Sequence, residues 1–91
     1  MIKRYGELAS DPELYYTPNG LPVCRLIVKG QSGKFVRLVA FSDMAEEMAE
    51  EASKGDEVSV VGYFKERVWE DRDGNRKSED EFIVKSWEVR R

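Results

Sequence analysis

Ninety-one residues amount to about one small domain. With 41% apolar and 36% charged residues, the chain can build a compact core and is too apolar for a disordered tail. Fifteen basic against eighteen acidic residues, no histidine and a single cysteine, Cys24, exclude a histone-like polycation, histidine-based dyads, zinc sites with several Cys or His ligands, and an intrachain disulfide.

In chain order, residues 1–6 lack the apolar stretch of a secretory signal. No apolar run approaches the roughly 18–20 residues of a membrane span, so the expectation is a cytoplasmic protein with no membrane contact. Asp11-Pro12-Glu13 and Thr17-Pro18-Asn19-Gly20 punctuate the next stretch. The second reads as a tight reversal, because proline fixes φ and Asn-Gly tolerates positive φ, and residues 14–16 are then a short strand. Pro22–Lys29 alternates: Cys24, Leu26 and Val28 point one way, Arg25, Ile27 and Lys29 the other. Cys24, between Val23 and Arg25, fits a small buried side chain in a reducing compartment. After the loop Gly30-Gln31-Ser32-Gly33, Phe35–Phe41 puts Val36, Leu38 and Ala40 on one face and Phe35, Arg37, Val39 and Phe41 on the other. Ser42 is expected to cap a helix whose apolar stripe is Met44, Ala45, Met48, Ala49 and Ala52, with Gly55 as its C′ residue. A long strand follows through Val58, Val60, Tyr63, Lys65, Arg67 and Trp69, and the glycine inside it, Gly62, predicts a bend or bulge. Residues 71–75 turn the chain back into a last strand through Phe82, Ile83 and Val84 towards Trp87 and Val89. Five strands with a helix between the third and fourth is the order of an OB-fold, a five-stranded Greek-key barrel, here taken as one unit over residues 1–91.

The charge is unevenly spread. Residues 42–57 carry seven acids and one base, which leaves 14 basic and 11 acidic residues, a balance of +3, for the rest of the chain. Phe35-x-Arg37-x-x-x-Phe41 and Tyr63-x-Lys65-x-Arg67-x-Trp69 follow strand periodicity, so each set shares a face. Rings with Lys or Arg between them are what a single-stranded nucleic acid needs, since bases stack on the rings and phosphates meet the cations. Residues 71–75 look superficially like a calcium loop, but Phe82 stands where the closing carboxylate belongs, so no metal is expected. Glu79-Asp80-Glu81 reads as solvated edge-strand charge.

The residues also resemble a known family, the bacterial single-stranded-DNA-binding proteins. The resemblance rests on Tyr5-Gly6-Glu7-Leu8-Ala9-Ser10-Asp11-Pro12-Glu13, Tyr16-Thr17-Pro18-Asn19-Gly20, Phe35-Val36-Arg37-Leu38-Val39-Ala40-Phe41, Lys54-Gly55-Asp56, and the run from Val60 through Trp69 with Asp71 to Asn75. It implies non-catalytic OB-folds that assemble as homodimers or homotetramers and bind single-stranded DNA in replication, recombination and repair, without a cofactor. By that resemblance the stacking aromatics are Phe35, Phe41 and Trp69, and the phosphate-contacting residues are Arg37, Lys65 and Arg67. Single-stranded RNA stays open as a ligand, because stacking does not distinguish the sugars.

Several positions depart from the family. The loop at residues 30–34 is short, Asp43 replaces a basic residue before the helix, Lys3 and Arg4 charge the first strand, and Glu79-Asp80-Glu81 replaces a neutral, hydroxyl-rich stretch. The chain stops at Arg91, so the acidic tip by which relatives recruit replication and repair proteins is expected to be absent. The rival reading is a primosome-like or accessory OB-fold module that mainly docks other proteins.

Overall fold

Strict alternation in two neighbouring stretches sets the centre of the fold. In the computed structural model, which describes residues 1–90, these are β3 (Pro22–Lys29) and β4 (Phe35–Phe41). They pair antiparallel, with Leu26 opposite Leu38 and Cys24 opposite Ala40. Around them lie β1 (Ile2–Leu8), β2 (Glu13–Tyr16), α1 (Ser42–Glu51), β5 (Glu57–Glu70) and β6 (Arg76–Arg90). The strands close into a ring, β1–β5–β6–β4–β3 and back to β1, antiparallel throughout except for β4 with β6.

The expected five-strand order appears with one refinement. β1 and β2 both lie antiparallel on β3, Leu8 opposite Val28 and Glu13 opposite Arg25. They are two halves of one broken strand, so the helix stands between β4 and β5 by number and between the third and fourth strands of the ring. At the break the Asp11 carboxylate accepts the Lys54 N–H at 2.9 Å. The Gly55 N–H donates to the Leu8 carbonyl and the Leu8 N–H to the Asp56 carbonyl, both at 2.8 Å, tying the break to the segment before β5.

The inward residues Leu8, Leu26, Leu38, Val58, Val60 and Phe82 are buried together, and α1 lays Ala45 and Met48 onto them. Fully burying side chains of this size stabilises by about 1.5–3 kcal/mol each. The apolar stripe on the helix is as expected, with Met44 and Ala49 partly buried beside it. Its ends are not. Ser42 is the first helical residue, at φ +61°, and Phe41 occupies the N-cap position without a side-chain bond. The helix closes at Ala52, whose N–H reaches the Met48 carbonyl, because the chain there turns extended (φ −96°, ψ 144°). Gly55 therefore serves the turn into β5, at φ +94°, rather than the helix C′ position.

Gly62 makes the predicted bulge. Val61 lies opposite Ser86 and Gly62 opposite Val84, so Lys85 is skipped in the register. A Cβ at Gly62 would land on the Ile83 carbonyl, which is why only glycine lets β5 approach β6 so closely there. Beyond it, β5 and β6 run on as a long antiparallel arm. The arm turns at Asp71, whose carboxylate accepts the Asp73 and Asn75 N–H groups at 2.9 Å, with Gly74 at φ +80°. This is the hairpin expected in place of a calcium loop.

Candidate nucleic-acid interface

Because side chains alternate along a strand, the residues that skip the core form a second face outside the barrel. On β4 these are Phe35, Arg37, Val39 and Phe41, interleaved with the buried Leu38 and Ala40. On β5 they are Tyr63, Lys65, Arg67 and Trp69, on the face opposite Phe64, whose ring meets buried Phe82 edge-on at 5.1 Å. β6 runs between these two rows and is flanked by both strands. The face has a small apolar floor of its own, Val23, Val39 and Ile83, all buried.

The six residues named from the sequence lie on this face, though not all in one place. Phe41, Lys65 and Arg67 line a shallow groove over the Val23, Val39 and Ile83 floor. Arg37 lines an adjoining groove, and Arg25 and Glu81 are common to both. Trp69 sits further along the arm, with the Arg67 guanidinium 5.3 Å from its ring centre. Phe35 lies at the other end of β4, opposite Lys29, and lines neither groove. The rings remain open to a ligand: Phe35 is 64% exposed, Phe41 41% and Trp69 38%.

Two contributors escape the sequence reading as site residues. Tyr15 on β2 and Arg25 on β3 line the groove with Phe41, and the Arg25 Nε donates to the Tyr15 hydroxyl at 3.1 Å. The alternation of β3, which puts Arg25 opposite the core face, was the available signal; Tyr15 reaches it only through the pairing of β2 with β3.

The carboxylates of β6 correct a second expectation. Glu79 and Glu81 are not free solvated charge. The Arg37 Nη1 lies 3.0 Å from both Glu79 carboxylate oxygens. Arg67 reaches Glu79 at 3.7 Å and Glu81 at 3.8 Å. Their side chains are only 22% and 12% exposed, because β6 lies between the strands that carry the two arginines. Asp80, one residue along, is exposed.

Elsewhere, burial pushes the Cys24 thiol up to about 11. The Tyr16 hydroxyl donates to Glu46 at 3.1 Å, which ties β2 to α1 and raises the tyrosine's pKa. Among the described residues no cluster of three or more His, Cys, Asp or Glu side chains is placed to hold a metal ion. No described helix is long and apolar enough to cross a membrane.

Comparison with known proteins gives a consistent picture. Residues 3–90 match the model of the single-strand binding protein family. The chain is 33% identical to the single-stranded DNA-binding protein of Mycolicibacterium smegmatis over 80% of its own length and 53% of the relative's. It is 34% identical to single-stranded DNA-binding protein 2 of Staphylococcus aureus, over 89% of this chain and 64% of that one. With single-stranded DNA-binding protein 1 of Xylella fastidiosa the identity is 27%, over 92% and 71%. The chain thus spans between about half and about seven-tenths of the length of these relatives.

Proposed function

The chain belongs to the single-strand binding protein family, and from that membership we propose that it binds single-stranded DNA, without strong sequence preference, on the outer face of β4, β5 and β6. One observation carries the reading. The exposed rings Phe35, Phe41 and Trp69 alternate with Arg37, Lys65 and Arg67 on two strands that flank β6. Bases stack on the rings, and the cations meet the phosphates. Every base has a π-face, so such a surface tolerates sequence. A duplex keeps its bases stacked on one another and cannot offer them.

The reading is non-catalytic and cofactor-free: the chain has no histidine for proton transfer or nucleophile activation. We place its work in the cytoplasm, in replication, recombination or repair, with residues 1–91 acting as one unit. Self-association as a homodimer or homotetramer is part of the proposal. β1 pairs with β5 from Ile2 to Glu7 but with β3 only at Glu7 and Leu8, which leaves most of its other edge open beside the exposed Tyr5. An open edge of this kind is a template for pairing with a second copy. Replication or repair proteins are further partners in this reading.

The test is a fluorescence titration with labelled oligo-dT, oligo-U and duplex DNA of equal length. The expected result is saturable binding to oligo-dT and far weaker binding to duplex. Equal affinity for duplex, or no binding to oligo-dT, refutes the proposal and leaves the accessory docking module as the better account.

A further inference from the structure

The two best-placed arginines of the interface are already occupied. Glu79 stands between Arg37 on β4 and Arg67 on β5 and is shared by both, and Glu81 takes a second contact with Arg67. Lys65, the third cation, lies opposite Glu81 in the register. A carboxylate presents two oxygens in a plane to a guanidinium fork, and a phosphodiester presents its two non-bridging oxygens in much the same way. We propose that Glu79 and Glu81 act as built-in phosphate surrogates, which an incoming strand must displace from Arg37 and Arg67. This rests on the reading of the face as a single-strand interface and adds to it the device that sets its strength.

The consequence follows from charge balance. Arg37, Lys65 and Arg67 facing Glu79 and Glu81 leave one uncompensated positive charge among these five groups, and Arg25, which lines both grooves, adds a charge that is the same with and without the two carboxylates. If Arg37, Lys65 and Arg67 all met phosphates freely, they would contribute about −2 to the slope of log affinity against log salt, from about −0.7 per phosphate on a single strand. With two of them trading one anion for another, their net exchange is close to one charge and their contribution falls to about −0.7. Each guanidinium gains only the difference between a phosphate and a carboxylate, and the vacated carboxylates stay beside the DNA backbone and repel it. The bases still stack. The face is thereby biased towards ring contacts and away from the polyanion, so binding survives salt.

The experiment compares three proteins on oligo-dT across a salt series: the parent, Glu79→Gln with Glu81→Gln, and Glu47→Gln with Glu50→Gln. The first pair of changes keeps side-chain size and removes both surrogates. The second removes the same formal charge from α1, beside Trp87 and away from the interface. E79Q/E81Q is expected to bind about tenfold tighter at low salt, the range set by loss of three ion pairs whose arginines are half-exposed. Its slope should be steeper than the parent's by about 1.4, from about 0.7 for each of the two freed arginines, while E47Q/E50Q stays close to the parent. Thermal melting of each variant within a few degrees of the parent certifies the fold.

Three outcomes overturn the proposal. A slope that E79Q/E81Q leaves unchanged from the parent removes the surrogates and leaves DNA binding standing. Equal tightening by E47Q/E50Q reduces the effect to net charge. If neither the parent nor E79Q/E81Q binds oligo-dT at the lowest salt, the interface reading itself fails, and the surrogates with it. Should the double variant not fold, Glu79→Gln alone carries the test, since Glu79 is the carboxylate that both arginines share.

Discussion

Replacing Gly62 by alanine puts a methyl group where β6 already stands. The added Cβ would fall on the Ile83 carbonyl oxygen, with the Ile83 carbonyl carbon and the Phe82 ring edge each 2.9 Å away. Two of these three atoms are backbone, so relief cannot come from a side chain swinging aside. Alanine in an extended strand would otherwise gain about 0.4–1 kcal/mol by narrowing the unfolded ensemble. Against that stands overpacking, about 1–3 kcal/mol and sometimes more. Ile83 and Phe82 belong to the two apolar clusters on opposite sides of the sheet, so a shift of β6 disturbs both. The upper end of that range applies, and the net loss is about 2 kcal/mol. For a domain of this size that lowers Tm by about 8–16 °C. Thermal unfolding followed by far-ultraviolet circular dichroism measures it, with Gly30→Ala as the control, because there the nearest atom to a new Cβ is 3.7 Å away. A Gly62→Ala protein melting within about 3 °C of the parent, under a 4–8 °C per kcal/mol scale, would refute the close approach of the two strands.

Other expectations concern single side chains. Trp69→Ala should weaken oligo-dT binding by about 1–3 kcal/mol with the fold intact, since one base loses its platform; unchanged affinity in a titration would remove Trp69 from the interface. The Cys24 thiol, held near 11 by burial against a usual value of 9.0, stays protonated in the fold where the unfolded chain ionises. The folded state then binds more protons than the unfolded one between those values, so this contribution to stability is full below pH 9 and is lost as pH rises towards 11. Urea melts of the parent and Cys24→Ala from pH 8 to 10.5 measure it: the parent should lose stability more steeply. Native Cys24 should also resist iodoacetamide at pH 8 until urea unfolds the chain, and rapid labelling without denaturant would contradict its burial.

The outer face was legible because strand periodicity is two: once Leu38 and Ala40 go inward, Arg37 and Phe41 go out. Gly62 was legible because a glycine inside a β-rich run has few other uses. The helix ends were not. Phe41 and Ser42 look like a strand end followed by a hydroxyl cap, and nothing local announces that Ser42 itself enters the left-handed region at φ +61°. Ala52 continues the apolar stripe and is buried, so periodicity alone extends the helix through it, although its backbone has already turned extended. The charge pairing was out of reach for a different reason. Arg37 and Glu79 are 42 residues apart, and only the parallel pairing of β4 with β6 brings them together. Tyr15 belongs to the same class, since it joins the site through the pairing of the broken first strand with β3.

The order in which the ring closes has a consequence for how the chain reaches this state. β1 finds its long partner only at residues 57–62, and β4 acquires its second neighbour only at Glu81, Phe82 and Ile83. During synthesis the first two-thirds of the chain can form the β3–β4 meander and α1, but that half-barrel leaves Leu38 and Ala40 covered only by the helix until the last strand brings Phe82 and Val84. Pairings this distant place the protein among slow folders, in the millisecond-to-second range rather than microseconds. Until then, the edge of β4 that will receive β6 lies open, and this is the stage at which nascent chains are most exposed to mispairing with one another.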